Sequence, residues 1–208
     1  MRRVAIILGL FALLLPAAAW ANGIDLTNQY GTVTITNAGI SSVGSELQSW
    51  GRFTAGPGHA LGSVTFSTGS LATGSIWGGG TFNGGGEFLV LGVGKWVRTM
   101  TGAAAPVTLF SGSFVGPVLW TVVSHPGRWD YVFTLSGAIR GTYWDGRTVN
   151  GTTTQTIYAF KNQWFHDQKG GISIGKSNLV VPEPGTLGLL GTGLIVLGAT
   201  MRRKLLRA

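Results

Sequence analysis

The sequence predicts an all-β fold: a single-domain antiparallel β-sandwich or flattened barrel, with an N-terminal signal helix before it and a C-terminal transmembrane helix after it. Three observations point there. Apolar and polar residues alternate over short runs, which puts successive side chains on opposite faces of strands. Turn signals rich in glycine recur about every ten residues, the spacing of short strands joined tightly. Glycine makes up 35 of the 208 residues, while charged residues are only 11% and hydrophobic ones 44%. That mixture is too apolar for a disordered linker. No amphipathic helix longer than two turns is visible, apart from a turn near Asn162 to Lys169.

In chain order, residues 31–36 alternate so that Val33 and Ile35 share a face, and Asn37-Ala38-Gly39 is a turn. Residues 47–53 read as a second strand, 54–59 as a loop around Gly56-Pro57-Gly58, and 63–67 as a strand with Val64 and Phe66 inward. The glycine-rich segment 78–86 could be taken for a phosphate-cradling loop. Such a loop needs Lys-Ser/Thr after its glycines and a helix behind it. Here Glu87 opens the strand-like run 87–91 instead, so the segment is a turn between strands.

Residues 118–124 and 129–136 are rich in β-formers and enclose His125-Pro126-Gly127-Arg128, a sequence suited to a type II turn. The implied register sets Ser124 against Trp129, Val122 against Tyr131 and Trp120 against Phe133, with Trp120, Val122, Tyr131 and Phe133 on one greasy face. Farther on, 139–144 meets Asp145-Gly146, a hairpin signal, and 147–149 returns. Asn150-Gly151 reads as a second such turn, 152–160 as a Thr-rich strand, 171–175 as a short strand, and 179–181 as the exit. About nine to twelve strands result.

Both ends read as processing signals. Arg2-Arg3, an apolar run over 4–15 and Ala19-Trp20-Ala21 have the three parts of a secretory signal peptide (residues 1–21), with cleavage after Ala21 or after Ala19. At the other end, residues 181–208 hold Val181-Pro182-Glu183-Pro184-Gly185-Thr186, an apolar run from Leu187 to Met201, and Arg202-Arg203-Lys204. Pro182 and Pro184 fix φ and lack an N–H, so the motif is extended and joins neither neighbouring element. The run would span roughly 22 Å as a helix, less than the ~30 Å hydrocarbon core. The cations after it favour the cytoplasmic side.

This tail resembles the PEP-CTERM sorting signal of bacterial exported proteins. The resemblance implies recognition of Pro182, Glu183 and Pro184 by an exosortase, a membrane-embedded cysteine-type transpeptidase that cuts near the motif. It also implies export through the Sec translocon, removal of the signal by signal peptidase, transient anchoring in the inner membrane with the C-terminus cytoplasmic, and final residence at the cell surface or in the extracellular matrix. The region 22–180 is similar in texture to Gly/Thr-rich β domains of other PEP-CTERM proteins, and no function travels with that.

The formal net charge of +8 suggests an anionic partner. Six of the fifteen basic residues, however, lie in the two terminal signals. Between residues 22 and 180 nine basic residues face six acids (Asp25, Glu46, Glu87, Asp130, Asp145, Asp167), or 9 − 6 = +3, with no basic run. Nucleic acid is not the expected partner. Cysteine is absent, which excludes a cysteine nucleophile, a disulfide framework and a thiolate metal site.

Catalytic patterns are scarce. No G-x-S-x-G elbow, H-E-x-x-H or D-x-D-x-D occurs, and His59, His125 and His166 are far apart in sequence. His166-Asp167 beside Trp164 reads as a polar loop. A carboxylate pair of the glycosidase kind could be built from Glu46, Glu87 and the aspartates. The expectation is therefore no enzyme, no metal and no cofactor. Tryptophan is more informative: Trp96, Trp129 and Trp144 are flanked by charges, and exposed planar rings on β-domains stack on sugars. The leading expectation is a non-catalytic surface or matrix protein. A carbohydrate-binding module recognising exopolysaccharide is the alternative, and a glycan-active hydrolase comes third.

Overall fold

The computed structural model describes residues 23–124, 130–160 and 169–181, and Gly23–Val181 forms one compact unit. Its elements in order are β1 (Gly23–Thr36), β2 (Gly39–Trp50), β3 (Phe53–Thr54), β4 (Gly62–Ser67), β5 (Leu71–Ser75), β6 (Gly79–Phe82), β7 (Gly85–Gly92), α1 (Lys95–Thr101), β8 (Val107–Phe114), β9 (Val118–Ser124), β10 (Asp130–Tyr143), β11 (Thr148–Phe160) and β12 (Lys169–Val180). Every strand pairing is antiparallel. Eight strands, in the order β1-β2-β4-β7-β8-β10-β11-β12 and back to β1, close into a barrel. Of the two architectures that alternation allowed, the barrel is the one formed.

β10 makes the closure. One edge pairs with β11 along 130–142, while the other divides its length between β9 at 131–136 and β8 at 139–143. A strand edge cannot bond two partners at the same residues, so β8 completes the barrel and β9 leads away from it with β6 and β5. β5 ends the sheet as a short edge strand, bulged at Ala72, a form that discourages further strand addition.

Alternation delivers the core as expected: Val33, Ile35, Val64 and Phe66 are all buried. Phe66, Phe88, Phe110 and Phe114 fill the middle of the barrel in edge-on and stacked contacts, and Trp50 meets Tyr143 edge-on at 6.0 Å. Outward positions of β1 and β10–β12 carry mainly Thr, Ser, Asn and Lys. Apolar inside and polar outside is the reverse of a membrane-spanning barrel's arrangement.

Several sequence expectations need correction. The β9–β10 register is two residues off: Ser124 faces Tyr131, Val122 faces Phe133 and Trp120 faces Leu135. An even slip keeps every side chain on its face, so the predicted aromatic side survives. The turn expected at His125-Pro126-Gly127-Arg128 falls in residues 125–129, which lie outside the described residues. Asn150-Gly151 is no turn. β11 runs through it, pairing with β10 on one side and β12 on the other, and a Cβ on Gly151 would lie 2.3 Å from the Asn178 carbonyl oxygen. Glycine is there for close strand approach. Asp145-Gly146 does turn, closed by Gly146 N–H to Tyr143 O at 2.9 Å.

The strand expected over 47–53 is the end of the longer β2, which stops at Trp50. The short strand at 171–175 and the exit at 179–181 belong to one strand, β12. α1 was not foreseen; its seven residues bury only Val97. The glycine-rich segment 78–86 contains the strand β6 between two turns. Among the described residues no helix is long and apolar enough to cross a membrane. The signal segment, residues 162–168 and the run from Leu187 to Met201 lie outside the described residues.

Candidate functional site

The barrel interior is occupied by packing and by one polar cluster. Inward positions of β1, β2, β11 and β12 bring Asn28, Ser45, Gln155, Thr153 and Ser177 together, all buried. Asn28 Nδ2 donates to Gln155 Oε1 at 3.0 Å and to Ser45 Oγ at 2.7 Å, and Gln155 Nε2 returns a bond to Asn28 Oδ1 at 3.3 Å. Gln155 Nε2 also donates to Thr153 Oγ1 at 2.9 Å, which accepts from Ser177 Oγ at 2.7 Å. The donors and acceptors of this cluster satisfy one another, as buried polar groups must. Gly175 makes room for it, since a Cβ there would sit 2.0 Å from Gln155 Oε1 and 2.2 Å from Asn28 Oδ1.

A second cluster is aromatic. Trp120 stacks on Phe133 at 4.5 Å and 10°, Phe133 stacks on Tyr131 at 5.9 Å, and Phe82 meets Trp120 edge-on. The Trp120 indole N–H donates to Ile76 O at 2.9 Å and pins the β5–β6 turn. These rings serve the core.

The predicted stacking tryptophans have different fates. Trp96 is half-buried on α1; its ring lies 5.1 Å from Phe53 and its indole N–H donates to Leu61 O at 3.0 Å. Trp144 is 38% exposed on the turn after β10. Trp129 lies outside the described residues. Trp164, His125, His166 and Asp167 also lie outside them.

Two exposed rings escaped the sequence reading. Tyr30 pairs with Ile172, whose neighbour Ile157 faces the core, yet Tyr30 is 61% exposed. A bulge explains it: Tyr30 and Gly31 both have left-handed backbone, φ 63° and 81°, and the phase of β1 inverts across them. A tyrosine held in that conformation costs about 1–2 kcal/mol, and the inverted phase turns its ring outward. Tyr158 on β11 is 41% exposed, beside Gly171 of β12.

The outer wall of β11, β12 and β1 carries a groove of about 310 Å³. Register fixes its two rows: Thr152, Asn178 and Asp25 in one, Thr154, Lys176 and Thr27 in the next. Asn178 Nδ2 donates to Asp25 Oδ1 at 2.7 Å, Thr27 and Ser49 hydroxyls bond at 2.7 Å, and Ser136 and Thr154 at 3.2 Å. The T-x-T-x-T run at 152–156 was the available sequence signal, since it repeats a hydroxyl on one strand face.

The other polar candidates lie apart. Glu46 is on β2, where it accepts from Gln48, Glu87 is on β7, and Asp145 pairs with Arg147 in the β10–β11 turn. His59 is in the β3–β4 loop, its N–H bonded to Gly56 O. Among the described residues no group of His, Asp and Glu could hold a metal ion. Burial pushes the Tyr143 phenol well above the usual range, against the pull of Arg147, and its hydroxyl donates to Leu179 O at 3.3 Å.

No curated protein and no solved structure matches the chain significantly. The C-terminal residues 180–204 match the PEP-CTERM protein-sorting motif. That span begins at the last residue of β12 and covers Pro182-Glu183-Pro184, the apolar run and the basic cluster. The tail thus carries a PEP-CTERM sorting motif, which supports an exported protein sorted by an exosortase.

Proposed function

We propose that the barrel is a non-catalytic component of the cell surface or extracellular matrix, delivered there by the C-terminal signal. The observation that carries this reading is the division of side chains. The interior is filled by aromatic packing and a self-satisfied amide cluster, and the outer wall is a long array of short hydroxyl side chains. An exposed wall made mainly of hydroxyl side chains, with few and scattered charges, suits a protein immersed in hydrated polymer. The experiment is fractionation of the producing cell: the mature protein should appear in the surface or exopolymer fraction. Retention in the inner membrane, or cleavage of glycans by the purified protein, would overturn the reading.

Glycan binding is the second reading, favoured by exposed rings on the barrel exterior at Trp144, Tyr30 and Tyr158. Retention of the purified protein on exopolymer from the producing cell tests it, and passage without delay refutes it.

A further inference from the structure

We propose that the outer wall of β11, β12 and β1 is a binding site for an acidic polysaccharide. In it the groove around Lys176 holds a sugar carboxylate, and the Tyr158 ring receives a sugar face farther along the wall. This rests on the glycan-binding reading and adds the ligand's charge and the place where it lies.

The groove supplies the chemistry that a uronic-acid residue needs. Lys176 is exposed on the middle strand, between Thr154 and Thr27. Among the described residues the ion pair present is Arg147 with Asp145, so no carboxylate there is paired with Lys176. In the neighbouring row Asn178 holds Asp25 by one carboxylate oxygen. The other carboxylate oxygen and the Asn178 carbonyl remain as acceptors for sugar hydroxyls. Thr152 and Thr154 offer hydroxyls that both donate and accept. The volume, about 310 Å³, is at the small end of ligand sites and fits a sugar unit of a chain that continues outside it.

Charge and shape extend the site beyond the groove. Cations on these strands are Arg140 of β10 and Lys169 and Lys176 of β12, against two carboxylates, Asp25 of β1 in the groove and Asp130 at the start of β10. That excess selects anionic chains over neutral ones. Tyr158 stands four residues beyond Thr154 on the same face, ~13 Å along the strand. Next to it Gly171 leaves the surface open, since a Cβ there would meet only the Gly31 carbonyl oxygen, at 3.6 Å. A ring bordered by a glycine floor can take a sugar lying flat, and the span from groove to ring matches a short oligosaccharide.

The test uses the purified whole protein and three probes of similar length: a polygalacturonate oligosaccharide, its fully methyl-esterified form, and a single-stranded DNA oligonucleotide. Binding is read by titration calorimetry at low and moderate salt. The polygalacturonate should bind, and the esterified form should bind about tenfold more weakly or worse, as loss of a charge-assisted contact requires. Lys176→Glu should give a loss of that size and remove most of the salt dependence. Tyr158→Ala should weaken both sugar probes, and Arg98→Glu on α1 should change nothing. If both sugar probes bind equally and Lys176→Glu is silent, the acidic site is overturned while glycan binding stands. If neither binds, both readings fall. DNA binding as tight as polygalacturonate would mean a surface for polyanions in general and would also overturn the proposal.

Discussion

Gly175→Ala tests the buried amide cluster most directly. The new Cβ would lie 2.0 Å from Gln155 Oε1 and 2.2 Å from Asn28 Oδ1, far inside contact distance. Both oxygens belong to side chains held in the reciprocal Asn28–Gln155 pair, so either must move and break bonds that nothing else nearby can replace. A buried polar group left unsatisfied costs about 1–3 kcal/mol. With two such groups at stake the expected loss is about 2–5 kcal/mol, a large fraction of a domain's total stability. For a chain of this size each kcal/mol shifts the melting temperature by about 2–4 °C. The melt, followed by far-ultraviolet circular dichroism, should therefore fall by roughly 4–20 °C. Gly171→Ala is the control: it lies in the same strand, yet its Cβ would meet only one atom, at 3.6 Å. There alanine should be neutral or stabilise by up to about 1 kcal/mol through the unfolded chain. In an Asn28→Ala background the cluster is already broken, so Gly175→Ala should cost much less than in the parent. A Gly175→Ala melt equal to the parent, or equal losses at both glycines, would refute the reasoning.

Other outcomes follow from the same packing. Trp120→Ala removes a buried ring stacked on Phe133 and the bond to Ile76 O, and should cost about 3–5 kcal/mol; Trp144→Ala, at an exposed turn, should cost well under half of that by urea unfolding. Tyr143 binds its proton more tightly folded than unfolded, so its contribution is complete below pH ~10, the unfolded phenol's value, and is lost as pH rises from there toward the raised folded value. Tyr143→Phe should therefore flatten the alkaline fall in stability relative to the parent, and an unchanged slope would contradict the burial. In the producing cell, Pro182→Ala with Glu183→Ala should leave a higher-mass precursor in the membrane fraction, and maturation to the parent's mass would contradict recognition of the motif.

The sequence by itself determined which class of fold forms and that the tail carries a sorting motif. Strand faces were legible because alternation is local: Val33, Ile35, Val64 and Phe66 are buried as their spacing required. The face of the β9–β10 hairpin was legible even though its register was not, since a slip of two preserves parity. The sorting tail was legible because a linear motif is read by another enzyme from its order alone. Tertiary structure decided the rest. Asn150-Gly151 has the chemistry of a turn, but β10 and β12 hold β11 straight through it from both sides, and pairing along a whole strand outweighs a dipeptide's preference. Barrel closure depends on β10 dividing one edge between β8 and β9, partners that lie to its N-terminal side along the chain. Tyr30 faces outward only because a bulge inverts the phase of its strand. Asp25, Thr152 and Lys176 share one groove although 127 and 24 residues separate them along the chain, counted as 152 − 25 and 176 − 152. No local pattern encodes such a meeting; antiparallel register, set by the packed core, brings those side chains to the same face.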